Sequence, residues 1–306
     1  ASLTSTSVTL TVSVSSTATP GAVDIRLTNP DAGTSTAALS VTAAPIGSGF
    51  APSTLGQGAT STTVVVTGTG FQAGVSAAVS AAGVTISSAT FVSANRVDLT
   101  VSVAAGAALG TRNITFTNTD GGTSTSTNAI TVGAAPSVTS LSQATLGQGA
   151  TAEPVTISGT GFQSGATVTV SGIGVTVSSA TVNSATSISV ILVATSTATT
   201  GTRDVTVTNP DAGNGTLTGG FTVNPAATVT STSPNSRGQG AASQNITVTG
   251  TNLAGLTAIT INGVPVTSWR IASATSLSFL IPAATSGSVV VTTSGGSATW
   301  ASFVVV

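Results

Sequence analysis

The chain repeats itself at a distance of one domain. Leu55-Gly56-Gln57-Gly58 returns as Leu146-Gly147-Gln148-Gly149 and again as Arg237-Gly238-Gln239-Gly240, at a constant spacing of 91 residues (55, 146, 237). A second glycine motif follows each copy. It reads Thr67-Gly68-Thr69-Gly70-Phe71, then Ser158-Gly159-Thr160-Gly161-Phe162, then Thr249-Gly250-Thr251-Asn252-Leu253. Solenoids repeat every 20 to 50 residues or about that, whereas this period is the length of a whole globular module. The chain is therefore a row of modules.

Inside each period the pattern is that of strands and turns. Val8-Thr9-Leu10-Thr11-Val12, Val23 to Leu27 and Ala37 to Val41 alternate apolar and polar residues, which predicts three half-buried strands in residues 1–45. Between the last two lies Asn29-Pro30-Asp31-Ala32-Gly33, a turn by its chemistry. Proline sets φ, aspartate bonds the backbone ahead of it, and glycine accepts unusual angles. The turn returns as Asn118-Thr119-Asp120-Gly121-Gly122 and as Asn209-Pro210-Asp211-Ala212-Gly213; the fourth module has Ser294-Gly295-Gly296 in its place. About seven short strands per module, with no helical periodicity, predict an all-β chain of tandem immunoglobulin-like β-sandwiches. The divisions are 1–45, 46–135, 136–225 and 226–306: three complete modules after an N-terminal half. Thr/Val alternation, as in Thr206-Val207-Thr208, places valine in the core and threonine outside. Gly56, Gly58, Gly147 and Gly149 are read as turn residues. Gly68, Gly70, Gly159 and Gly161 are expected to supply positive φ where a strand ends, so that Phe71 and Phe162 close one end of each core.

These motifs, in this order, resemble the IPT/TIG family of immunoglobulin-like domains. The resemblance is good in the second and third modules and loose in the fourth, where Asn252-Leu253 stands for Gly-Phe and Trp269 and Trp300 appear. It implies a bacterial surface or secreted protein whose modules act as spacers, stalks, adhesion units or accessory domains, with no shared active site.

Composition narrows the chemistry. Only 4% of the 306 residues are charged: six arginines, six aspartates and Glu153. Histidine, cysteine, lysine and tyrosine are absent, which removes the usual general bases and nucleophiles, so no catalytic residue and no enzyme activity are expected. Zinc, haem and iron–sulfur ligands are missing too, and no cofactor is expected. Dispersed arginines do not make a nucleic-acid surface. No apolar run is long enough for a transmembrane helix. The only metal candidates are single carboxylates for calcium, Asp31 and Asp211, set against the simpler reading that each closes its own turn. Arg203 beside Asp204, and Arg26 near Asp24, are read as local surface pairs. Asn113, Asn214 and Asn245 head Asn-x-Thr tripeptides and are possible glycosylation sites.

A surface this neutral and hydroxyl-rich gives identical chains little reason to stay apart. The expectation is a structural subunit of an extracellular or cell-surface assembly (filament, sheath or surface layer) whose partners are copies of itself. The alternative is an adhesin stalk that binds glycans or another surface, for which exposed Trp269 or Trp300 would be the contact. Residues 1–45 match only the later strands of a repeat. Their missing strands lie either in a longer polypeptide or in a neighbouring subunit, and the half module is expected to form the polymer contact.

Overall fold

A computed structural model describes residues 8–238, 244–281, 286–293 and 296–305; Gln239, Gly240, Ser294 and Gly295, which belong to the fourth-module motifs above, lie outside them. Among the described residues there are strands and turns and no helix. The chain divides into two compact units, residues 1–133 and 134–306.

The first unit opens with a hairpin of β1 (Gly21–Thr28) and β2 (Thr34–Val41), whose register runs from Gly21 opposite Val41 to Thr28 opposite Thr34. A complete sandwich follows. Its strands are β3 (Ile46–Ala51), β4 (Thr54–Gly56), β5 (Thr62–Thr69), β6 (Ser76–Val79), β7 (Val84–Ser93), β8 (Arg96–Val103), β9 (Gly110–Thr117) and β10 (Thr123–Gly133). One sheet has the order β3-β5-β8-β7 and the other β4-β10-β9-β6. Strand β8 shows why the chain folds this way. Val97, Leu99, Val101 and Val103 point into the core and are 0–2% exposed, while the intervening Asp98, Thr100 and Ser102 are half-exposed. That is the period-two pattern of a sheet with one dry face.

The second unit repeats the plan. Its first sandwich uses β11 (Ser137–Leu141), β12 (Thr145–Gly147), β13 (Glu153–Thr160), β14 (Thr167–Val170), β15 (Val175–Ser184), β16 (Ser187–Ala194), β17 (Gly201–Thr208) and β18 (Asn214–Asn224), in sheets β11-β13-β16-β15 and β12-β18-β17-β14. The core contains Leu146, Ile157, Ile188, Leu192, Val207 and Phe221. Its second sandwich has β19 (Thr228–Ser233), β20 (Ser236–Arg237), β21 (Asn245–Thr251), β22 (Leu256–Ile261), β23 (Val264–Pro265), β24 (Trp269–Ser273), β25 (Ser276–Leu280), β26 (Gly287–Thr293) and β27 (Gly296–Val305). These pair as β19-β21-β25-β24 and β20-β27-β26-β22-β23 around Ile246, Val248, Phe279 and Phe303. The all-β tandem-sandwich fold expected from the sequence is the one found.

The glycine expectation is corrected in part. Gly70 and Gly161 do have φ of +73° and +71°, and Asn252 takes the same conformation at +56°. Asparagine is the side chain that tolerates it best. Gly68 and Gly159 serve otherwise. A Cβ on Gly159 would lie 1.9 Å from the Ser137 carbonyl oxygen and 2.5 Å from the Phe162 ring, and Gly68 is equally hemmed in by Ile46 and Phe71. These glycines let strands touch at a bulge. Gly58 and Gly149 have positive φ (+84° and +79°), whereas Gly56 and Gly147 end the short strands β4 and β12, each paired in parallel with the last strand of its module.

The largest correction is at the N-terminus. The predicted strand Val8 to Val12 is not formed: residues 8–20 contain no strand. In the next module the same sequence pattern is β8, which pairs with β5 on one side and β7 on the other. Among the described residues, 8–14 have neither neighbour, and a strand without a sheet cannot satisfy its backbone.

Candidate functional site: the incomplete module

In both complete consensus modules the Asn-x-Asp turn is a lock. Asn118 is buried; its Oδ1 accepts the Gln72 backbone N–H (3.2 Å) and its Nδ2 donates to the Gly70 carbonyl (2.7 Å). Asp120 accepts the Gly122 N–H on Oδ1 (2.9 Å) and the Gln72 side-chain amide on Oδ2 (2.6 Å). One module on, Asn209 makes the same bonds to Gln163 N–H (3.1 Å) and Gly161 O (2.8 Å), and Asp211 to Gly213 N–H (2.9 Å) and Gln163 Nε2 (2.8 Å). The turn between the last two strands is thereby tied to the Gly-x-Gly-Phe-Gln segment about half a module earlier. Gln72 and Gln163 were not among the residues singled out from the sequence. Their recurrence directly after the phenylalanine, 48 residues before Asp120 and Asp211, is the signal that marks them.

The first copy of the turn is folded but holds nothing. Asn29 N–H donates to Gly33 O (2.8 Å), Ala32 N–H to Asn29 O (3.0 Å) and Gly33 N–H to Asp31 Oδ1 (3.1 Å), matching the turns at 118–122 and 209–213. Ala32 even adopts φ +69°, as Ala212 does at +63°. Yet Asn29 and Asp31 are exposed, and among the described residues the Asn29 amide and Asp31 Oδ2 have no partner. Behind the turn, Val23, Ile25 and Leu27 share one face of the hairpin with Leu39 and Ala37, their cross-strand neighbours or near neighbours. Ile25 and Leu27 match Ile114 and Phe116 of the next module, which are fully buried, and Val23 matches Arg112, 6% exposed; here Val23 and Leu27 are 48% and 42% exposed, and Ile25 and Leu39 are half-buried. Val8, Leu10, Val12 and Val14, which match the buried Val97, Leu99, Val101 and Val103, are 50–66% exposed. Asp24 and Arg26 lie on the opposite, polar face. The hairpin base is held to the adjoining module by the Thr42 hydroxyl, which donates to Asp120. That bond, with those from Gly122 and Gln72, holds the Asp120 carboxyl below the usual carboxylate range.

The other candidates have structural occupations. Both oxygens of Asp211 accept N–H donors, and the Asp31 carboxylate faces its own Gly33 amide, an arrangement for donors and not for a cation. Among the described residues no three Asp or Glu side chains gather as a metal site. Asn113 Oδ1 accepts the Asn128 N–H at the β10 bulge (2.9 Å), as Asp204 Oδ1 accepts the Gly219 N–H (2.8 Å) one module on. Asn214 begins β18 and is half-buried; Asn245 begins β21 and is exposed. The expected pair of Arg203 with Asp204 is not made: Arg203 donates to the Thr199 carbonyl and hydroxyl. Arg96 pairs with Asp98 through two bonds of 2.8 and 2.9 Å on the solvent-facing side of β8. Trp300 packs half-buried against the last core, and Trp269 is exposed on the edge strand β24 of the other sheet, so the two do not form one aromatic tip.

Two hollows occur. One of about 330 Å³ lies beside Phe50, between β3 and the β10 bulge. The other, about 570 Å³, lies between the two sandwiches of the second unit and is lined by Gln148, Glu153, Thr257 and Thr293. Glu153 is the one titratable lining residue there, so neither hollow offers an acid–base pair. Among the described residues no helix is long and apolar enough to cross a membrane.

A family model described as the IPT/TIG domain matches residues 227–303, the module in which the glycine motifs are most altered. No curated protein matches the chain. Similar solved structures include the plexin A4 extracellular region, with 16% identity over 78% of this chain and 21% of that one (TM-score 0.36). A surface glycan-binding protein, SGBP-B, from a xyloglucan utilization locus of Bacteroides uniformis has 20% identity over 55% and 49% (TM-score 0.24). Invasin, a bacterial integrin-binding protein, has 12% over 92% and 64% (TM-score 0.29). This chain spans less than two thirds of each. At these scores the likeness carries no function across. Residues 227–303 thus match the IPT/TIG domain, in a chain of tandem immunoglobulin-like sandwiches.

Proposed function

We propose that the chain is a structural subunit of an extracellular or cell-surface assembly, in which many copies are joined through the half module at residues 8–41. The observation that carries this reading is the sparse charge: 4% of the residues are charged, so identical chains have little electrostatic reason to stay apart. The half module offers an apolar contact, with Val8, Leu10, Val12, Val14, Val23 and Leu27 42–66% exposed. The rest of the molecule suits a spacer. Its modules follow each other without free linkers, and its sparse charge lets copies pack closely over a wide range of salt and pH. In this reading the chain performs no catalysis. An adhesin stalk is the second reading, and Trp269, exposed on β24, is the feature that favours it.

The test uses the producing cell. Tagged full-length chain and a chain lacking residues 1–45 are expressed there, and surface assemblies are imaged by negative stain with gold label. The full chain is expected in the assemblies and the shortened one, though folded, absent. Incorporation of both to the same extent would falsify the proposal.

A further inference from the structure

We infer that the hollow between β3 and the β10 bulge is a binding site for one ring of a neutral sugar, with Phe50 as its floor. The inference is separate from the reading of residues 8–41 as a joint. Every lining residue belongs to the complete module built from β3 to β10.

The module built from β11 to β18 shows how the hollow arises. Strand register matches Gly47 with Val138, Phe50 with Leu141, Ser124 with Gly215 and Ser126 with Leu217. Val138 is part of the later core, and Leu141 and Leu217 pack against it. Gly215 lies so near the Pro136 carbonyl that a Cβ there would come within 1.9 Å of its oxygen. In the earlier module two of these side chains are cut back, to Gly47 and Ser126. Ser124 carries the Cβ that Gly215 lacks, so β10 cannot approach the entry to β3 as closely. Phe116, in the place of Val207, takes up part of the space: a Cβ on Gly47 would sit 2.8 Å from its ring. The hollow of about 330 Å³ is what remains. Packed interiors close such gaps, yet here three positions act together to open one.

The lining states the ligand. None of the residues around the hollow is charged, so it calls for a neutral molecule. The Phe50 ring is half-buried and stacks on the buried Phe116, with centroids 6.4 Å apart, which holds it in place. Ser126 Oγ donates to Gly47 O (2.7 Å) and keeps lone pairs with which to accept. Among the described residues the Ser124 hydroxyl and the Asn128 side-chain amide have no partner. Asn128 holds at φ +51° the bend that Gly219 makes at +62°, and so sets a donor and an acceptor where the later module has no side chain. A fixed aromatic ring meets the C–H face of a pyranose, and the hydroxyls and the amide meet its polar edge. Ligand pockets span about 300–1,000 Å³, so this one takes a single ring and leaves the rest of a glycan outside.

The probes are the methyl glycosides of glucose, galactose, mannose and N-acetylglucosamine, titrated into the isotopically labelled full chain. NMR shifts are expected at the amides of Ser48, Phe50, Ser126 and Asn128 with at least one of the four. A dissociation constant on the order of 1–10 mM is expected for a single ring. Three variants copy the later module. Ser126→Leu refills the hollow, Phe50→Leu removes its floor and Asn128→Gly removes the rim amide. The first two should weaken binding about tenfold or more, and the third about threefold. Melting curves identify the folded variants, and the exposed Asn128→Gly decides the matter where a core variant does not fold. No shift with any of the four at about 100 mM overturns the inference. So does unchanged binding in any folded variant, and so do equal shifts around Leu217, where a side chain fills the same place.

Discussion

Asn209 and Gln163 face each other across their module, 3.1 Å from the Asn209 Oδ1 to the Gln163 backbone nitrogen, and the same asparagine reaches Gly161 O at 2.8 Å. Asn209 is 3% exposed, whereas Gly161 and Gln163 are exposed. Asn209→Ala removes both bonds and leaves the N–H and the carbonyl to water, which costs about 1–2 kcal/mol. Asn29→Ala removes nothing comparable from the isolated chain and should change stability by less than about 0.5 kcal/mol. Calorimetry of the two variants checks the contrast. Similar losses in both would mean that the Asn29 turn is held as the Asn209 turn is.

The glycine pair before each phenylalanine should separate by mechanism. Gly159→Ala drives a Cβ to 1.9 Å from the Ser137 carbonyl, a backbone atom that cannot swing away, and a loss of more than about 3 kcal/mol is expected. At Gly161 the nearest atom to a new Cβ is 3.4 Å away and the objection is its φ of +71°, so Gly161→Ala should cost about 1–2 kcal/mol. Urea denaturation of both decides it, and the order is the point. Equal costs would sink the distinction.

Much of the fold was legible because its signals are local. The 91-residue period, the valine alternation of β8 and the Asn-x-Asp turns depend on nearest neighbours along the chain, and the structure has them where they were read. Residues 8–12 were misread for the complementary reason: alternation states which side of a strand is apolar, but a strand exists only when another pairs with it. Gly159 and Gly161 look alike in the sequence and differ in what excludes a side chain, the Ser137 carbonyl in one case and a left-handed bend in the other. The roles of Gln72 and Gln163 were hidden because their partners are 46 and 48 residues away. Arg203 was assigned to its sequence neighbour Asp204, although successive side chains of a strand point to opposite faces.

Ala32 and Ala212 hold left-handed conformations that glycine adopts freely, at φ of +69° and +63°, where the second module already has Gly121 at +87°. Ala212→Gly should therefore stabilise its module by about 0.5–1 kcal/mol, the strain relieved exceeding the added entropy of the unfolded chain. A rise of a few degrees in the matching thermal transition is expected. A fall would show that the Ala212 methyl makes contacts worth more than the strain.

Stability should be level between pH 5 and pH 9, since the sequence has no histidine, the side chain whose ordinary pKa falls in that range. The first unit should then weaken on acidification. Hydrogen bonds from Thr42, Gly122 and Gln72 lower the Asp120 pKa, and the Arg96 hydrogen bond lowers that of Asp98. A depressed folded-state value means stabilisation that is fully present above the ordinary carboxylate pKa, about 3.9, and lost as pH falls through the folded value. Asp120→Asn should remove part of that acid dependence. Melting curves from pH 2 to 7 check this, and an unchanged acid limb in the variant would contradict it.

Gln148 does two jobs that one substitution can separate. Its Nε2 donates to the Ala198 carbonyl within its own module (2.7 Å), and its Oε1 accepts the Ala226 N–H at the entry to the next (3.1 Å). Gln148→Ala removes both bonds, so amide exchange at Ala226 should quicken about fivefold, and the module should lose about 1 kcal/mol. Gln148→Glu keeps an acceptor for Ala226, a stronger one because it is charged, but turns a second acceptor on the Ala198 carbonyl. Two acceptors facing each other repel. The Glu variant is therefore expected to preserve or increase protection at Ala226 while destabilising its own module at least as much as alanine does. Exchange at Ala226 read by NMR, set beside the melting temperature of the same samples, tests both halves. Loss of Ala226 protection in the Glu variant would mean that the joint is held by the position of the whole loop, not by the Gln148 oxygen.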